Sequence, residues 1–335
     1  MADAEGTSAL IIGGAGMVGR KLAERIASQG ALNGQPVSRL HLADVVEPTL
    51  PGGLAEGVGA TSTVDLAERG AAERLIAGRP DVVFHLAAIV SGEAERDFHK
   101  GYRINLDGTR MLFDAIHTAH EAEGYRPRVV FTSSIATFGA PFPDTIPDTF
   151  NHTPLTSYGT QKAIGELLLA DHTRRGHMGG ISIRLPTICI RPGKPNAAAS
   201  SFFSGILREP INGREAILPV GEDVRHWFAS PRSAVGFLLH AAALDLGRVG
   251  PHASLDMPGL SATVAEEIEA LRRVVGEDAA KLIRRERDPE IEAIVSGWPR
   301  GFEAARAREL GFEAEQSFDE IIRIYLEDEM GAAPA

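Results

Sequence analysis

The feature that most constrains this chain is a glycine-rich segment, GGAGMVG, placed between the apolar run SALIIGG and the helix-like run MVGRKLAERIASQG. In the spacing GxxGxxG, Gly13 can make a tight turn and Gly16 removes a side chain where a pyrophosphate must approach the backbone. Gly19 then allows the helix to pack closely on the strand. We predict a dinucleotide site here, with Met17 and Val18 among its contacts. A glycine turn with a purely structural purpose is the alternative.

Apolar runs alternate with helix-like segments through the first half of the chain, which is typical of a parallel sheet covered by helices on both faces. We therefore predict an α/β fold with a Rossmann-type doubly wound parallel sheet. The predicted NAD-binding domain spans residues 1–190 and carries the catalytic residues. After Arg191 proline and glycine become frequent. Residues 191–335 are expected to form mainly a smaller substrate-binding cap, with some elements returning to the Rossmann domain.

Charge and cysteine content exclude several classes of function. With 34 basic and 45 acidic side chains the formal net charge is −11, which argues against broad contact with nucleic acid or an anionic membrane. The single cysteine, Cys189, forms no intrachain disulfide, and we predict no metal site. No apolar run approaches the ~20 residues of a membrane span. We expect a cytoplasmic protein whose partners are small molecules.

Residues at the ends of the next strands complete the predicted cofactor site. RLHLADV ends near Asp44, 25 residues after Gly19, where a carboxylate can accept hydrogen bonds from both ribose hydroxyls and repel a 2′-phosphate. We therefore predict NAD in preference to NADP, although a solvated turn residue is the alternative for Asp44. Weaker predictions are an adenine contact by Asp65 and a ribose and phosphate contact by Leu86, Ala87 and Ala88.

The segment SYGTQKAIGELLL places Tyr158 and Lys162 four residues apart, hence on one face of a helix. The preceding strand, VVFTSS, ends with Ser134 at the same edge of the predicted sheet. Alcohol oxidation needs a base for the hydroxyl proton, and free tyrosine has a pKa of ~10. A lysine ammonium beside Tyr158 favours the phenolate. We predict Tyr158 as the base, Lys162 as its activator and a ribose contact, and Ser134 as a donor to the reacting oxygen.

The order of these motifs resembles the extended short-chain dehydrogenase/reductase family, from Ala9 to about Tyr325. The resemblance implies that Ser134 is the catalytic serine of FTSSIATFG, and that Ser133 contacts the cofactor. It also implies a homodimer packed through the helices near Tyr102 and Ser157. Further cofactor contacts implied by the segments YRINLDGT and RLPTICIRPG are Asn105, Pro186, Thr187 and Ile188.

The run RLPTICIRPGKPNAAASSFFSGILREP is similar to the D-erythronate dehydrogenases of this family, which oxidise C2 of a four-carbon aldonate. That resemblance implies a cation for the substrate carboxylate, for which Arg225 is the candidate, and polar groups for its hydroxyls, from Asn196, Ser200 and His226. The structural alternatives are pairing of Arg225 with a neighbouring acid such as Glu222 or Asp223, a turn cap at Asn196, a role only in the loop for Ser200, and a surface position for His226.

The leading hypothesis is NAD-dependent oxidation of a small sugar acid at C2, with D-erythronate and 2-dehydro-D-erythronate as the expected pair. A nucleotide-sugar epimerase or dehydratase that retains NAD is the alternative enzyme. A third hypothesis is a non-catalytic NAD-binding protein. The presence of Ser134, Tyr158 and Lys162 together argues against the third, because a non-catalytic protein has no chemical need for all three.

Overall fold

A computed structural model describes residues 6–193 and 199–331. The chain divides into two compact units. The first consists of residues 1–134, 156–184 and 235–255, and the second of residues 135–155, 185–234 and 256–335. Residues 135–155 belong to the second unit although they precede residue 190, and residues 235–255 belong to the first unit although they follow it. The assignment of residues 1–190 to NAD binding and of residues 191–335 mainly to the substrate stays a prediction.

Short strands and helices follow one another along most of the described chain. The strands are β1 (Thr7–Ile12), β2 (Ala31–Leu32), β3 (Gln35–Asp44), β4 (Gly59–Thr63), β5 (Val82–His85), β6 (Arg128–Ser134), β7 (Gly179–Leu185), β8 (Thr187–Ile188), β9 (Ala216–Leu218), β10 (Arg225–Ala229), β11 (Ser254–Asp256), β12 (Leu260–Thr263) and β13 (Ile283–Arg285). The helices are α1 (Met17–Gln29), α2 (Ala71–Ile76), α3 (Ser91–Arg96), α4 (Phe98–Gly101), α5 (Gly108–Glu123), α6 (Ser157–Arg174), α7 (Ser201–Ile211), α8 (Pro231–Ala243), α9 (Leu246–Val249), α10 (Val264–Val274), α11 (Glu277–Ala280), α12 (Pro289–Ser296), α13 (Ala305–Glu309) and α14 (Phe318–Met330). A π-helix spans Tyr102–Asp107 and a 3-10 helix spans Ile135–Thr137.

The first unit is built on a sheet whose strands lie in the order β11, β7, β6, β5, β1, β3, β2, with β4 paired to β3. The pairs β1 with β3, β1 with β5, β5 with β6, and β3 with β4 are parallel. The inner strands are continuous apolar runs, because both faces of such a sheet are covered. A buried core lies between the sheet and helix α5. It includes Leu10, Val83, Val129 and Phe131 of the strands and Phe113 of α5. The predicted α/β class and Rossmann-type sheet are confirmed.

The second unit has smaller sheets, β12 with β10 and β8, and β13 with β9. Strand β10 pairs antiparallel with β12 and parallel with β8. Its core joins residues of α7, β10, α10 and α14, among them Phe203, Phe228, Ile268 and Ile322. Helix α10 begins with a capping box in which the Thr263 hydroxyl accepts from the Glu266 backbone N–H.

The sequence after Arg191, in which proline and glycine are frequent, contains a regular helix. Helix α7 covers the run SFFSGILREP and ends at Ile211. Phe203 is fully buried and stacks on His226 with ring centroids 5.4 Å apart. The apolar period of the helix was hidden by flanking prolines and by Pro210, which lies inside its last turn. In the part of the chain that the structure describes, no helix is both long and apolar enough to cross a bilayer.

Candidate active site

The glycine-rich segment lies at the carboxyl end of β1 and leads directly into α1. Gly13 and Gly14 both donate backbone hydrogen bonds to the carbonyl oxygen of Ala43, at 2.8 and 3.1 Å. A Cβ on Gly19 would stand 2.2 Å from the carbonyl oxygen of Gly13, so any side chain there would force the helix away from the turn. Gly16 caps α1 without a side chain. The first N–H groups of α1 are therefore accessible to an anion.

Asp44, the last residue of β3, faces the same turn. One of its carboxylate oxygens accepts from the Ala15 N–H at 3.0 Å and the other accepts from the Val45 N–H at 2.7 Å. These two bonds orient a half-buried carboxylate next to the glycine turn. The position fits the predicted ribose contact, because each carboxylate oxygen can accept more than one hydrogen bond.

The chain after β5 forms the opposite side of the turn. The N–H of Leu86 donates to the carbonyl oxygen of Ile12 at 2.8 Å, and a Cβ on Gly13 would stand 2.8 Å from the backbone nitrogen of Ala87. The predicted contacts Leu86, Ala87 and Ala88 are half-buried beside the glycine turn. Asp65 instead accepts from Arg103 at 2.8 Å and from the Ala67 N–H at 2.9 Å, so its adenine contact stays a prediction.

These residues fit a dinucleotide. The tight approach at Gly13 and Gly19 leaves no space for a Cβ, and the helix N-terminus with no side-chain cap provides N–H groups for a pyrophosphate. Asp44 supplies an acceptor at the strand end and a negative charge that disfavours a 2′-phosphate. The residues present at this edge of the sheet therefore match NAD.

The predicted catalytic residues lie on β6 and on the first turns of α6. The ammonium nitrogen of Lys162 lies 5.7 Å from the centroid of the Tyr158 ring. It donates to the carbonyl oxygen of Thr132 at 2.8 Å, and Thr132 is two residues before Ser134 on β6. Tyr158 and Ser134 are half-buried, whereas Lys162 is buried. The Thr156 hydroxyl caps the helix by accepting from the Gly159 N–H at 3.0 Å, which fixes where α6 begins.

Burial controls the charge of Lys162. Removal of the ammonium from water lowers its pKa to about 7, while the nearby carboxylate of Glu166 acts in the opposite direction. The ammonium also lies 4.8 Å from the centroid of the Phe131 ring, a favourable contact for a cation. Lys162 can therefore change its protonation state near neutral pH, beside the tyrosine that it is predicted to activate.

The side chains of Ser133 and Ser134 lie on opposite faces of the sheet, and the cofactor contact of Ser133 stays a prediction. The side chain of Ser133 is buried and its hydroxyl donates a short hydrogen bond to Glu166. Arg184 holds the same carboxylate with Nε at 3.0 and 3.1 Å and with a terminal nitrogen at 2.8 Å. The two serines point to opposite faces because side chains alternate along a strand.

Sequence reasoning missed the Glu166–Arg184 pair. Two signals were present: Glu166 continues the four-residue spacing of Tyr158 and Lys162 along α6, and Arg184 interrupts the apolar run ISIRL of β7. Charged side chains are rarely buried unless they are paired. An arginine within an apolar strand therefore indicates a buried acid on a neighbouring element.

Asn105 is held inside the π-helix Tyr102–Asp107. Its side-chain oxygen accepts from the Ile89 N–H at 2.8 Å, and its amide nitrogen donates to the Gln161 side chain at 2.8 Å. A π-turn inserts an extra residue into a helix and is frequent at functional sites. Asn105 thus connects the segment after β5 to helix α6, and its cofactor contact stays a prediction.

The predicted nicotinamide contacts lie in the second unit, around β8. Pro186 and Ile188 are buried and Thr187 is half-buried. The Thr187 hydroxyl is 2.7 Å from Nε2 of His226, and Nδ1 of His226 is 2.9 Å from the carbonyl oxygen of Pro299. Burial lowers the pKa of His226 to about 4. Both ring nitrogens have protein partners, so His226 orients Thr187, and its substrate contact stays a prediction.

Arg191 makes two side-chain hydrogen bonds to described residues. Its guanidinium donates to the carbonyl oxygen of Ile188 at 2.9 Å and to the hydroxyl of Ser200 at 3.0 Å. Arg191 therefore connects the end of β8 to the residue before α7. The second bond also gives Ser200 a protein partner, so the substrate contact of Ser200 stays a prediction. Asn196 lies outside the described residues.

Arg225 lines a groove of the second unit with a volume of about 470 Å³. Its guanidinium donates to the carbonyl oxygen of Ser261 at 3.1 Å and pairs with Glu266 at 3.2 Å. The acid partner is therefore Glu266 of α10, and not one of the sequence neighbours considered as alternatives. The Arg225 side chain is 38% exposed, so it can reach a small anion through N–H groups that these two contacts do not use.

Comparison with known proteins agrees with this architecture. The model of the NAD dependent epimerase/dehydratase family matches residues 9–249. The chain is 48% identical to D-erythronate dehydrogenase of Cupriavidus necator, over 95% of this chain and 98% of that protein. It is 39% identical to D-erythronate dehydrogenase of Haemophilus influenzae, over 96% and 99% of the two chains.

A crystal structure described as the nucleoside-diphosphate-sugar epimerase from Agrobacterium tumefaciens superposes with a TM-score of 0.95 and 64% sequence identity, covering 98% of this chain and 96% of that one. The family model covers Gly13, Asp44, Tyr158 and Lys162. The two curated relatives match this chain over nearly its full length. The chain belongs to the NAD dependent epimerase/dehydratase family.

Proposed function

We propose that this protein is an NAD-dependent dehydrogenase that oxidises D-erythronate at C2 to 2-dehydro-D-erythronate. The observation that carries the proposal is the placement of a buried Lys162 beside Tyr158 at the end of β6, which is an arrangement for removing a hydroxyl proton. The choice of substrate is supported by two nearly full-length relatives that are named D-erythronate dehydrogenase.

The reaction removes a hydride from C2 and a proton from its hydroxyl group. NAD, when bound, supplies the hydride acceptor. Tyr158 takes the hydroxyl proton as a phenolate, and the Lys162 ammonium stabilises that phenolate electrostatically. Ser134 donates a hydrogen bond to the reacting oxygen, which keeps the C2 hydroxyl oriented toward Tyr158. The bond from Lys162 to the Thr132 carbonyl fixes the position of the ammonium before substrate arrives.

The carboxylate of a sugar acid needs a cation, and we propose Arg225 for it. A guanidinium can offer two parallel N–H groups to a carboxylate, and the groove that Arg225 lines is large enough for a small ligand. Glu266 is the competing carboxylate, since it pairs with the same guanidinium at 3.2 Å. Hydroxyl contacts by Asn196 and Ser200 remain part of this proposal.

A nucleotide-sugar epimerase is the second candidate, and the description of the Agrobacterium structure favours it. An epimerase removes a hydride and returns it to the same sugar, so no NADH accumulates. A dehydrogenase releases one NADH for each substrate molecule oxidised. Net NADH formation therefore separates the two functions without any assumption about the substrate site.

The test is to incubate the purified full chain with NAD and with each of D-erythronate, L-erythronate, D-threonate and UDP-glucose, and to follow NADH. We expect stoichiometric NADH with D-erythronate and none with UDP-glucose. Chromatography of the UDP-sugar after incubation detects epimerisation. Conversion of UDP-glucose to its epimer, with no NADH from any of the tetronates, would overturn the proposal.

We also propose that the enzyme is a homodimer that works in the cytoplasm. Phe98 of α4 and Leu167 of α6 are large apolar side chains that are 53% and 62% exposed, and they lie near the helices expected to pair. The buried Cys189, whose pKa burial raises, fits a reducing compartment as an unreactive thiol. Light scattering of the purified protein is expected to measure the mass of two chains.

A further inference from the structure

Three histidines from separate segments meet in the first unit, away from the predicted catalytic residues. His117 belongs to α5, His172 belongs to α6, and His177 lies in the turn between α6 and β7. One potential ligand atom from each lies within 4.8 Å of the other two. The Nδ1 atoms of His172 and His177 are 3.1 Å apart, and the rings of His117 and His177 stack with centroids 3.9 Å apart.

The backbone of the turn after α6 brings His172 and His177 close together before any ligand binds. The N–H of His177 donates to the carbonyl oxygen of His172 at 3.0 Å, which closes the turn after α6. Helices α5 and α6 pack against each other through buried residues such as Phe113. The ring centroids of Phe113 and His172 are 6.0 Å apart. All three histidines are half-buried, so their rings are restrained by packing and still accessible to an ion from solvent.

Desolvation and neighbouring positively charged groups lower the pKa of two of the three histidines, His172 and His177. Burial lowers the pKa of His172, and the neighbouring His177 and His117 lower it further, while Asp114 and Asp171 oppose the shift. The pKa of His177 is also lowered, by desolvation and by nearby His117, His120 and Arg175, against Glu121. A neutral imidazole has a free nitrogen lone pair, which is the form that coordinates a metal ion.

The dimensions agree with coordination by three imidazoles. A tetrahedral Zn²⁺ site has Zn–N distances of about 2.0 to 2.1 Å, which places the nitrogens about 3.4 Å apart. The histidine cluster must therefore contract from 4.8 Å at most, a change of about 1.4 Å that side-chain rotation provides. Glu121, whose carboxylate is 3.3 Å from Nε2 of His117, adds negative charge next to the cluster.

We propose that His117, His172 and His177 form a binding site for one divalent transition-metal ion such as Zn²⁺, with water in the fourth position. Three imidazoles are ligands preferred by Zn²⁺, Co²⁺, Ni²⁺ and Cu²⁺ and not by Mg²⁺ or Ca²⁺. The sequence did not predict this metal site, because the three histidines do not follow a recognisable ligand spacing: 55 residues separate His117 from His172, and 5 separate His172 from His177.

The site is independent of the predicted chemistry. His172 follows Tyr158 by 14 residues on the same helix, which is roughly 21 Å along the helix axis. A metal ion there would join the carboxyl-terminal end of α6 to α5, and because it binds only the folded chain it would stabilise the first unit. The inference therefore does not depend on which substrate the enzyme oxidises.

The test is titration of the untagged full chain, stripped of metal by dialysis against a chelator, with Zn²⁺ in a calorimeter. We expect one ion per chain with a Kd in the micromolar range or below, and a rise in the thermal unfolding temperature on addition of Zn²⁺. Co²⁺ provides a second probe, because four-coordinate Co²⁺ absorbs visible light more strongly than hydrated Co²⁺.

The test variants are His172→Gln and His177→Gln, and the matched control is His99→Gln, which changes an exposed histidine outside the cluster. Each cluster variant is expected to weaken Zn²⁺ binding at least 10-fold, and His99→Gln to leave it unchanged. Absence of stoichiometric Zn²⁺ binding to the wild-type chain, a Co²⁺ spectrum of the hydrated ion alone, or an equal loss in His99→Gln would overturn the proposal. The wild-type measurements decide the question even if a variant fails to fold.

Discussion

The Lys162 ammonium lies 5.7 Å from the centre of the Tyr158 ring and is tied to the Thr132 carbonyl oxygen at 2.8 Å. The four-residue spacing on α6 fixes the distance between the two side chains, and the hydrogen bond to the Thr132 carbonyl oxygen fixes the position of the Lys162 ammonium.

Substitution of Tyr158 by Phe keeps the ring and removes the proton acceptor. We expect Tyr158→Phe to lower kcat by at least about 100-fold with D-erythronate, while NAD binding measured by fluorescence quenching is retained. Turnover within a factor of two of wild type would show that another group takes the proton.

Replacement of Lys162 by Met is expected to affect the stability and the turnover of the enzyme in different ways. The folded-state pKa of Lys162 is lowered to about 7 from the ordinary value of 10.5. Between these two values the unfolded chain binds the proton and the folded chain does not, so the wild type loses stability as pH falls through this range. The variant has no such group. We therefore expect the free energy of unfolding of Lys162→Met to increase relative to that of wild type as pH falls from about 10 to about 7, with turnover below that of wild type throughout. If the free energies of unfolding of the two proteins change with pH in parallel across this range, the pKa of Lys162 is not lowered in the folded chain.

The buried Glu166–Arg184 pair positions the end of β6 through Ser133. Glu166→Gln leaves the Arg184 guanidinium buried without its carboxylate, for which we expect a loss of about 3 to 5 kcal/mol in unfolding free energy. The double variant Glu166→Gln with Arg184→Met removes the unpaired charge and should recover most of that loss. Urea unfolding of the wild type, both single variants and the double variant measures the coupling. Additive losses in the double variant would show that the two groups act independently.

Asp44 is expected to select NAD over NADP. Asp44→Ser removes the carboxylate that accepts from Ala15 and Val45 and leaves a small polar group. We expect KM for NAD to rise about 10-fold, which corresponds to about 1.4 kcal/mol, and activity with NADP to become measurable. Glu47→Gln is the matched control, since Glu47 is an exposed carboxylate just after β3. An unchanged ratio of NAD to NADP activity in Asp44→Ser would assign cofactor choice to other residues.

Arg225 is expected to hold the substrate carboxylate. Arg225→Lys keeps the positive charge but loses the planar pair of N–H groups, so KM for D-erythronate should rise about 10-fold with kcat less affected. The control is Arg285→Gln, which removes an exposed arginine paired with Glu222 in the same unit. If both variants change KM equally, the effect arises from the overall charge and not from a bidentate contact.

The alternation of apolar runs and helices predicted most of the first unit, because a parallel sheet buried on both faces leaves that pattern in the sequence. The placement of Tyr158 and Lys162 on one helical face followed from the helical period alone. Of the predicted cofactor contacts, Asp44 was predicted from a strand end, whereas Asn105 and Thr187 were implied only by the family resemblance. The Glu166–Arg184 pair and the His117, His172 and His177 cluster could not be predicted in this way. Each joins elements that are distant in sequence, so its geometry depends on which strands and helices become neighbours.

The two-unit division has a consequence for synthesis on the ribosome. Strand β7 ends at Leu185, but its neighbour β11 begins at Ser254, so about 70 residues must be translated before that sheet edge is covered. An uncovered strand edge is a template for pairing with another chain. During this interval the nascent first unit has an open edge, and the helix α8 that belongs with it is also still missing. We therefore expect a polypeptide truncated between residues 190 and 234 to aggregate, and not to fold into a smaller NAD-binding protein.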